Sequence, residues 1–191
     1  MVTRYTEGQA RSSLEEEALV AYPIPFQSLR NGDATVMDAT GGAGKFSINS
    51  GGWGSGTMSI RSEAVGPGGT KTDTLMFDFT LPPEYVSAGD VRLVLNAQEN
   101  DEAMGGTELS AEVYKSDGSG GAGADLYNAF DNTNITTSWQ TCTAVVTATG
   151  LVAGDTLRVF VRLTVVDAGG GGGDGAQAEI DGMELQLDIK G

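Results

Sequence analysis

Two glycine-rich stretches have spacings that bind phosphate in other proteins. Gly41-Gly42-Ala43-Gly44-Lys45 approaches the phosphate-binding loop, but the Ser or Thr that should follow the lysine and ligate magnesium is Phe46 here. Residues 118–123 match the glycine spacing of a dinucleotide fingerprint. No long helical pattern follows them to present its N-terminus to a phosphate. We therefore interpret both stretches as turns and predict no bound cofactor.

Acidic side chains are the next candidates for chemistry, because Asp and Glu together number 26. Calcium takes oxygen ligands from such residues, and two clusters offer them: Glu99-Asn100-Asp101-Glu102, and Asp167 with Asp174 across a glycine loop. Neither cluster has the spacing of an EF-hand loop, so we interpret them as solvated loops and predict no metal. Paired carboxylates also hydrolyse glycosides. The sequence singles out no such pair, and we predict no catalytic residue.

Aromatic side chains could instead bind a sugar by stacking on its ring. Trp53 is the strongest candidate, because the glycines on both sides of it favour an exposed turn. The other candidates are Tyr85, Tyr114, Tyr127 and Trp139. For each of them the alternative interpretation is packing in the core or at an interface.

Composition excludes several classes of function. The chain has no His and a single Cys142, which excludes His-based triads, the usual zinc sites and an internal disulfide framework. A formal charge of -15 argues against direct binding of nucleic acid, which needs Lys and Arg to neutralise phosphates. No apolar run is long enough to span a membrane, and residues 1–9 lack the apolar core of a signal peptide. We expect a protein made in the cytoplasm.

The elements that must position these residues are strands. In residues 156–167, Leu157, Val159, Val161, Leu163 and Val165 alternate with more polar residues, which is the period of a strand. The opposite face of this strand carries Arg158 and Arg162 together with Phe160 and Val166. Because that face mixes apolar and basic residues, we predict a central strand that a neighbouring segment or a partner chain partly covers.

Further alternating runs indicate an all-β protein. They occupy residues 45–49, 57–62, 73–81, 91–97, 107–115, 141–149 and 183–189. Residues 91–97 and 107–115 are predicted to pair as antiparallel neighbours, and residues 126–130 to form a helical turn. Many short strands with glycine turns and no repeat predict an antiparallel two-sheet β-sandwich, a jelly roll.

The N-terminal residues 1–22 are predicted to be an arm outside the sandwich domain of residues 23–191. Ser13 begins a capping-box pattern for one or two helical turns, and Pro23 and Pro25 end any helix before an edge strand over residues 23–29. The arm is expected to be disordered alone and ordered on a partner. Its apolar anchors would be Leu14, Leu19, Val20 and Tyr22.

Two phrases carry a resemblance to a known class of proteins. Residues 81–91 and residues 151–159 each contain Gly-Asp immediately before a strand. With the proline-rich entry at residues 21–27, they resemble β-sandwich decoration (cement) proteins of tailed bacteriophage capsids.

The resemblance implies a non-enzymatic role in assembly. It implies a homo-oligomer, with a trimer favoured, bound to the major capsid protein on the capsid surface of a virion. The protein itself would be synthesised in the host cytoplasm. Phe160, Arg158 and Arg162 would then form an interface together with the arm. The alternative is a carbohydrate-binding module or phage adhesion domain, in which Trp53 contacts a glycan.

Overall fold

The computed structural model describes residues 17–37, 44–49, 58–99, 106–116, 123–169 and 175–190. In this part of the chain twelve strands form two antiparallel sheets. The strands are β1 (Glu17–Pro23), β2 (Arg30–Asn31), β3 (Ser47–Asn49), β4 (Ser59–Arg61), β5 (Thr70–Thr80), β6 (Val91–Glu99), β7 (Thr107–Ser116), β8 (Tyr127–Phe130), β9 (Asn134–Ile135), β10 (Gln140–Val146), β11 (Thr156–Val166) and β12 (Ala178–Lys190).

The strand order is that of a jelly roll, which confirms the predicted fold class. The larger sheet has the order β3-β4-β12-β6-β10-β8, and β1 also pairs with β12. The smaller sheet has the order β2-β5-β11-β7-β9. Along the chain, β1, β6, β10 and β12 lie in the larger sheet, whereas β5, β7, β9 and β11 lie in the smaller one. The chain thus crosses repeatedly between two packed sheets, as two Greek keys require.

The hydrophobic core lies between the sheets, and β11 shows why. Its inward side chains Leu157, Val159, Val161 and Leu163 are fully buried, as the alternating pattern predicts. Burying each such side chain contributes about 1.5–3 kcal/mol relative to leaving it exposed. The strand is central, because it pairs along its length with β5 on one side and β7 on the other.

The predicted pairing of residues 91–97 with residues 107–115 is wrong. These residues lie in β6 and β7, which belong to different sheets: β6 pairs with β12 and β10, and β7 pairs with β11 and β9. Both strands have one apolar face, as expected of antiparallel sheets. Alternation identifies a strand but not its neighbour, and here the connection crosses the core instead of forming a hairpin.

The predicted boundary between arm and sandwich at residue 22 is also wrong. β1 pairs with β12 over seven residues, from Glu17 opposite Lys190 to Pro23 opposite Glu184. The predicted edge strand over residues 23–29 is instead a 3-10 turn at Phe26–Ser28, preceded by Pro25 in an extended conformation. The first 16 residues, with the predicted helical turns, lie outside the described residues, so an arm there stays a prediction.

The helical turn predicted over residues 126–130 is a strand, β8, which pairs with β10. Asp125 fixes its start, because one carboxylate oxygen accepts hydrogen bonds from the N–H groups of Val113 at 2.9 Å and Tyr127 at 3.0 Å. Only Phe130 of this strand is buried. Because β8 lies at the edge of the sheet and buries one residue, its sequence has too little apolar alternation to predict a strand.

The two Gly-Asp phrases form hydrogen-bonded turns that contact each other. The N–H of Leu81 donates to the carbonyl of Asp155 at 2.8 Å, and the N–H of Ala88 donates to the carbonyl of Leu151 at 3.0 Å. Asp155 also accepts the N–H of Val152 at 2.8 Å, as an Asp in a turn commonly does. The structure thus explains these phrases by turn chemistry at one end of the sandwich. No helix among the described residues has the length and hydrophobicity to cross a membrane.

Candidate functional site

The outer face of the smaller sheet carries the side chains that the sequence singled out on β11. Arg158, Phe160 and Arg162 point away from the core, opposite to the buried Leu and Val residues. In the antiparallel register, Phe160 lies between Met76 of β5 and Glu112 of β7. Three strands that are distant in sequence therefore supply one continuous surface.

An aromatic pair lies at the centre of this surface. The rings of Tyr114 and Phe160 meet edge to face, with their centroids 6.3 Å apart and an interplanar angle of 74°. The hydroxyl of Tyr114 donates to Oε2 of Glu112 at 2.9 Å. This hydrogen bond to the carboxylate raises the pKa of Tyr114. The arrangement fixes the Tyr114 ring beside Phe160.

Two cross-strand ion pairs flank the aromatic pair. Arg158 binds both carboxylate oxygens of Asp78, at 2.8 and 2.9 Å, and this contact lowers the pKa of Asp78. Arg162 binds Oε1 of Glu112 at 2.7 Å. Exposed pairs of this kind contribute at most about 1 kcal/mol to stability. Their main effect is to hold charged hydrogen-bonding groups in fixed positions around Phe160.

A cleft of about 350 Å³ opens beside Phe160 on this face. Its lining residues are Gly32, Asp33, Gly44, Lys45, Thr74, Phe160 and Arg162. The sheet supplies the floor, and two chain segments outside the sheet, one containing Asp33 and one containing Lys45, supply the wall. A volume of this order is at the lower end of the range for small-ligand sites.

An ion pair joins the two segments of the wall. Lys45 Nζ lies 2.8 Å from Oδ2 of Asp33 and 3.2 Å from the hydroxyl of Thr35. The other oxygen of Asp33 accepts the N–H of Thr35 at 3.0 Å and its hydroxyl at 2.6 Å. Lys45 and these hydrogen bonds hold the pKa of Asp33 well below its usual range. The Asp33 carboxylate is therefore ionised and fixed in place.

Glycine is required where the wall meets the floor. The N–H of Gly32 donates to the carbonyl of Thr74 at 2.7 Å, and a Cβ on Gly32 would lie 2.9 Å from the Cβ of Thr74. Such a distance is shorter than a van der Waals contact. The turn continues through Ala34, whose φ of 64° lies in the left-handed region. The wall therefore holds a strained residue close to the cleft.

The charged side chains of this surface are paired with one another. A general acid in a glycosidase needs a raised pKa. In contrast, the pKa values of Asp33 and Asp78 are lowered by their cationic partners. Lys45, Arg158 and Arg162 are each paired with a carboxylate, so the surface offers charged hydrogen-bonding groups with little net charge of its own.

The structure separates the interface residues that the sequence grouped together. Leu19, Val20 and Tyr22 lie on β1 in the larger sheet, away from β11. Tyr22 packs edge to face against Phe79, with ring centroids 5.8 Å apart, and Leu19 remains 42% exposed. Val20 and Tyr22 therefore belong to the sheet instead of a free arm, and their contact with a partner stays a prediction. Leu14 lies outside the described residues.

The predicted sugar-stacking aromatics have different environments. Tyr85 is buried, and its hydroxyl donates to the carbonyl of Gly89 at 2.7 Å. Tyr127 is half-buried against Phe130. Trp139 is 44% exposed in the loop between β9 and β10 and does not line the cleft. Tyr114 lies on the outer face of the smaller sheet, and Trp53 lies outside the described residues.

The predicted calcium clusters are divided between described and undescribed residues. Glu99 and Asp167 are buried, and an oxygen of Asp167 accepts the N–H of Gly169 at 2.7 Å. Residues 100–102 and Asp174 lie outside the described residues. No group of three or more metal-ligating side chains occurs in the described ranges.

Sequence reasoning did not identify Asp33, Lys45 or Thr74 as site residues. Their local signals were those of turns and strands: Asn31-Gly32-Asp33 is a turn sequence, and Thr74 alternates with apolar residues in β5. The register of β5 on β11 would have placed Thr74 opposite Arg162. That register follows from the sheet order and not from any local pattern.

Comparisons with known proteins identify no family for this chain. A scan against protein-family models gives no match, and neither does a search of curated proteins. Among solved structures, the CBM22-1 xylan-binding domain of Xyn10C from Paenibacillus barcinonensis is similar at 12% identity and a TM-score of 0.47. The match covers 93% of this chain and 98% of that chain.

Two further solved structures show a likeness of the same kind. The xylan-binding module CBM15 is 14% identical with a TM-score of 0.48, over 89% of this chain and 97% of that chain. The mannan-recognising carbohydrate-binding module TmCBM27 is 14% identical with a TM-score of 0.45, over 90% of this chain and 98% of that chain. At these identities and TM-scores, the ligands of those modules are not evidence for a ligand of this chain.

Proposed function

We propose that the protein is a non-catalytic carbohydrate-binding domain whose cleft on the smaller sheet binds a neutral glycan. The observation that carries this proposal is the combination of an aromatic floor at Phe160 with fixed polar side chains around a cleft of about 350 Å³. A sugar ring has apolar C–H faces and a rim of hydroxyls. It therefore matches a site with apolar contact area and a few placed hydrogen-bonding groups.

Charge favours a neutral sugar over an acidic one. Arg162 and Lys45, the cations that line the cleft, already bind Glu112 and Asp33. A uronate would have to displace a carboxylate from one of them. The chain's formal charge of -15 would also repel an anionic polysaccharide.

Isothermal titration calorimetry with xylohexaose, mannohexaose, cellohexaose and polygalacturonate tests the proposal. We expect a neutral hexasaccharide to bind and polygalacturonate not to bind. Phe160→Ala should weaken binding about tenfold or more, which corresponds to about 1.4 kcal/mol of lost contact. Arg162→Gln, at a partly exposed position, should also weaken binding without threatening the fold.

The matched control is Val166→Ala, which changes an apolar residue on the same strand and the same face but outside the cleft lining. Circular dichroism should show all three variants folded. The proposal fails if no neutral glycan binds the wild type, or if folded Phe160→Ala and Arg162→Gln both bind as tightly as Val166→Ala.

A virion decoration role stays a prediction and is compatible with glycan binding by the same sandwich. It requires self-association and binding to a major capsid protein. Light scattering is the check, with a trimer expected, followed by electron microscopy of the protein mixed with capsids. A monomer at tens of micromolar that leaves capsids bare would contradict it.

A further inference from the structure

A second concavity, here called the bulge groove, lies on the outer face of the larger sheet. Its volume is about 420 Å³. The lining residues are Pro23, Val94, Leu95, Asn96, Thr141, Gly182, Met183, Glu184 and Gln186. None of them belongs to the cleft on the smaller sheet, which lies on the opposite side of the sandwich.

An irregularity in β12 produces this groove. The pairing of β12 with β6 shifts between Ile180 and Gly182, so that Gly182 lies opposite Asn96. A β-bulge leaves an extra residue unpaired and bends the strand locally. Gly182 adds no side chain, and a Cβ at this position would meet nothing within 4 Å. The groove is thus open space above the strand, limited on one side by the end of β1 at Pro23.

The polar side chains of the groove are already oriented by hydrogen bonds to one another. The hydroxyl of Thr141 donates to Oδ1 of Asn96 at 2.9 Å, which leaves the Asn96 amide nitrogen as a donor. Gln186 Nε2 donates to Oε1 of Glu184 at 2.7 Å, which leaves the Gln186 carbonyl oxygen as an acceptor. The groove therefore combines a fixed amide donor with fixed acceptors.

We propose that the bulge groove is a second glycan-binding site, which takes a neutral sugar unit through its hydroxyl groups. Neighbouring sugar hydroxyls both donate and accept hydrogen bonds, and so they match this mixed set of partners. The Glu184 carboxylate and the lack of any basic lining residue disfavour an anion. Val94 and Pro23 offer apolar contact area for the ring. The inference rests on the proposed function for its class of ligand but on separate residues for its site.

Two sites on opposite faces give the domain a property that one site does not. The two sites face outward from opposite sheets, so a glycan held in one of them would have to pass around an edge of the sandwich to enter the other. A polysaccharide chain in the cleft and another in the groove would be held together by one domain. The domain then cross-links glycan chains, and the avidity of the network exceeds that of either site.

Substitutions at Gly182 separate the groove from the cleft. Gly182→Trp should fill the groove, because its Cβ direction is open and the backbone is not in the left-handed region. Gly182→Ala is the matched control, since one methyl group leaves most of the groove open. Thr141→Val, at an exposed position, is a second variant that removes the hydroxyl bound to Asn96. This variant tests the groove even if Gly182→Trp does not fold.

Calorimetry with the neutral hexasaccharide that binds the wild type gives the readout. We expect two equivalents bound by the wild type and by Gly182→Ala, one equivalent by Gly182→Trp, and a several-fold weaker second site in Thr141→Val. The wild type should also increase the turbidity of the corresponding polysaccharide, whereas Gly182→Trp should not.

The outcomes distinguish the two proposals. One equivalent in the wild type, unchanged by Gly182→Trp and Thr141→Val, would overturn the groove and leave the cleft standing. Binding that is abolished by Gly182→Trp but unaffected by Phe160→Ala would overturn the cleft and leave the groove standing. No binding of any neutral hexasaccharide would overturn both.

Discussion

The turn that follows Pro82 allows two substitutions of opposite effect within four residues. Tyr85 is 4% exposed, and its hydroxyl donates to the carbonyl of Gly89 at 2.7 Å. Burial raises the pKa of this hydroxyl to about 12. Three residues along the chain, Ala88 has a φ of 59°, in the left-handed region. The Tyr85 hydrogen bond should stabilise the turn, whereas the left-handed conformation of Ala88 should strain it.

Tyr85→Phe removes one hydrogen bond and leaves the Gly89 carbonyl without this donor. The expected cost is about 1–1.5 kcal/mol in the free energy of unfolding. For a domain of this size, that cost lowers the melting temperature by about 2–6 °C. The packing of the ring is unchanged, so the loss measures the hydrogen bond and not a cavity.

Ala88→Gly should stabilise the protein. The left-handed conformation costs an alanine about 1–2 kcal/mol, and glycine adopts it freely. Glycine also loses more conformational entropy on folding, by roughly 0.5–1 kcal/mol. The net gain is then about 0.5–1 kcal/mol, or about 1–4 °C in melting temperature.

Urea denaturation followed by circular dichroism gives both free energies on one scale. Equal m values, the slopes of the free energy of unfolding against urea concentration, would show that the variants expose the same surface on unfolding. If Ala88→Gly destabilises the protein, the backbone at Ala88 is not strained. If Tyr85→Phe is neutral, the Gly89 carbonyl is satisfied by other groups. Either result would refute the turn geometry on which the structural explanation of the Gly-Asp phrases rests.

Three further predictions concern the cleft, a buried acid and the cysteine. Gly32→Ala should lower the free energy of unfolding by about 1–3 kcal/mol and weaken glycan binding, because the new Cβ would overlap Thr74. The control is Gly66→Ala, whose Cβ meets nothing within 4 Å. Equal stability of the two variants in urea would contradict this prediction. Burial raises the pKa of Asp73 above 3.8. The folded state therefore binds the Asp73 proton more tightly than the unfolded state does. The stabilisation from protonated Asp73 is present at low pH and is lost as the pH rises through the folded-state pKa. Asp73→Asn should remove this pH-dependent loss of stability. Urea unfolding at several pH values should then give a free energy of unfolding that changes less with pH above 3.8 in the variant than in the wild type. The same pH dependence in both proteins would contradict the prediction. Cys142 is fully buried and its pKa is raised to about 11, so a thiol reagent should react only on unfolding. Rapid reaction of the native protein would place the thiol at the surface.

The sequence alone determined most of the long strands, because side-chain alternation is a local property. β11 shows this most clearly: its buried Leu and Val residues are those that the period predicts, and its outer face is the one that the sequence marked as unusual. Arg158, Phe160 and Arg162 were therefore identified before the fold was known. The sequence-based predictions were wrong at the edges of the sheets, where alternation is weak: β1 was predicted to be part of an arm, and β8 was predicted to be a helical turn.

Only the tertiary structure decided which strands pair and which side chains meet. Any apolar strand face fits against many others, so alternation alone could not tell that β6 and β7 lie in different sheets. The cleft needs Asp33 and Lys45 beside Phe160, although more than 100 residues separate them in sequence. Asp33 is placed by the pairing of β2 with β5 and of β5 with β11, and Lys45 is held there by its ion pair with Asp33. Sheet order is a global property of the fold, and for that reason the wall of the cleft and the bulge groove had no signature in the sequence.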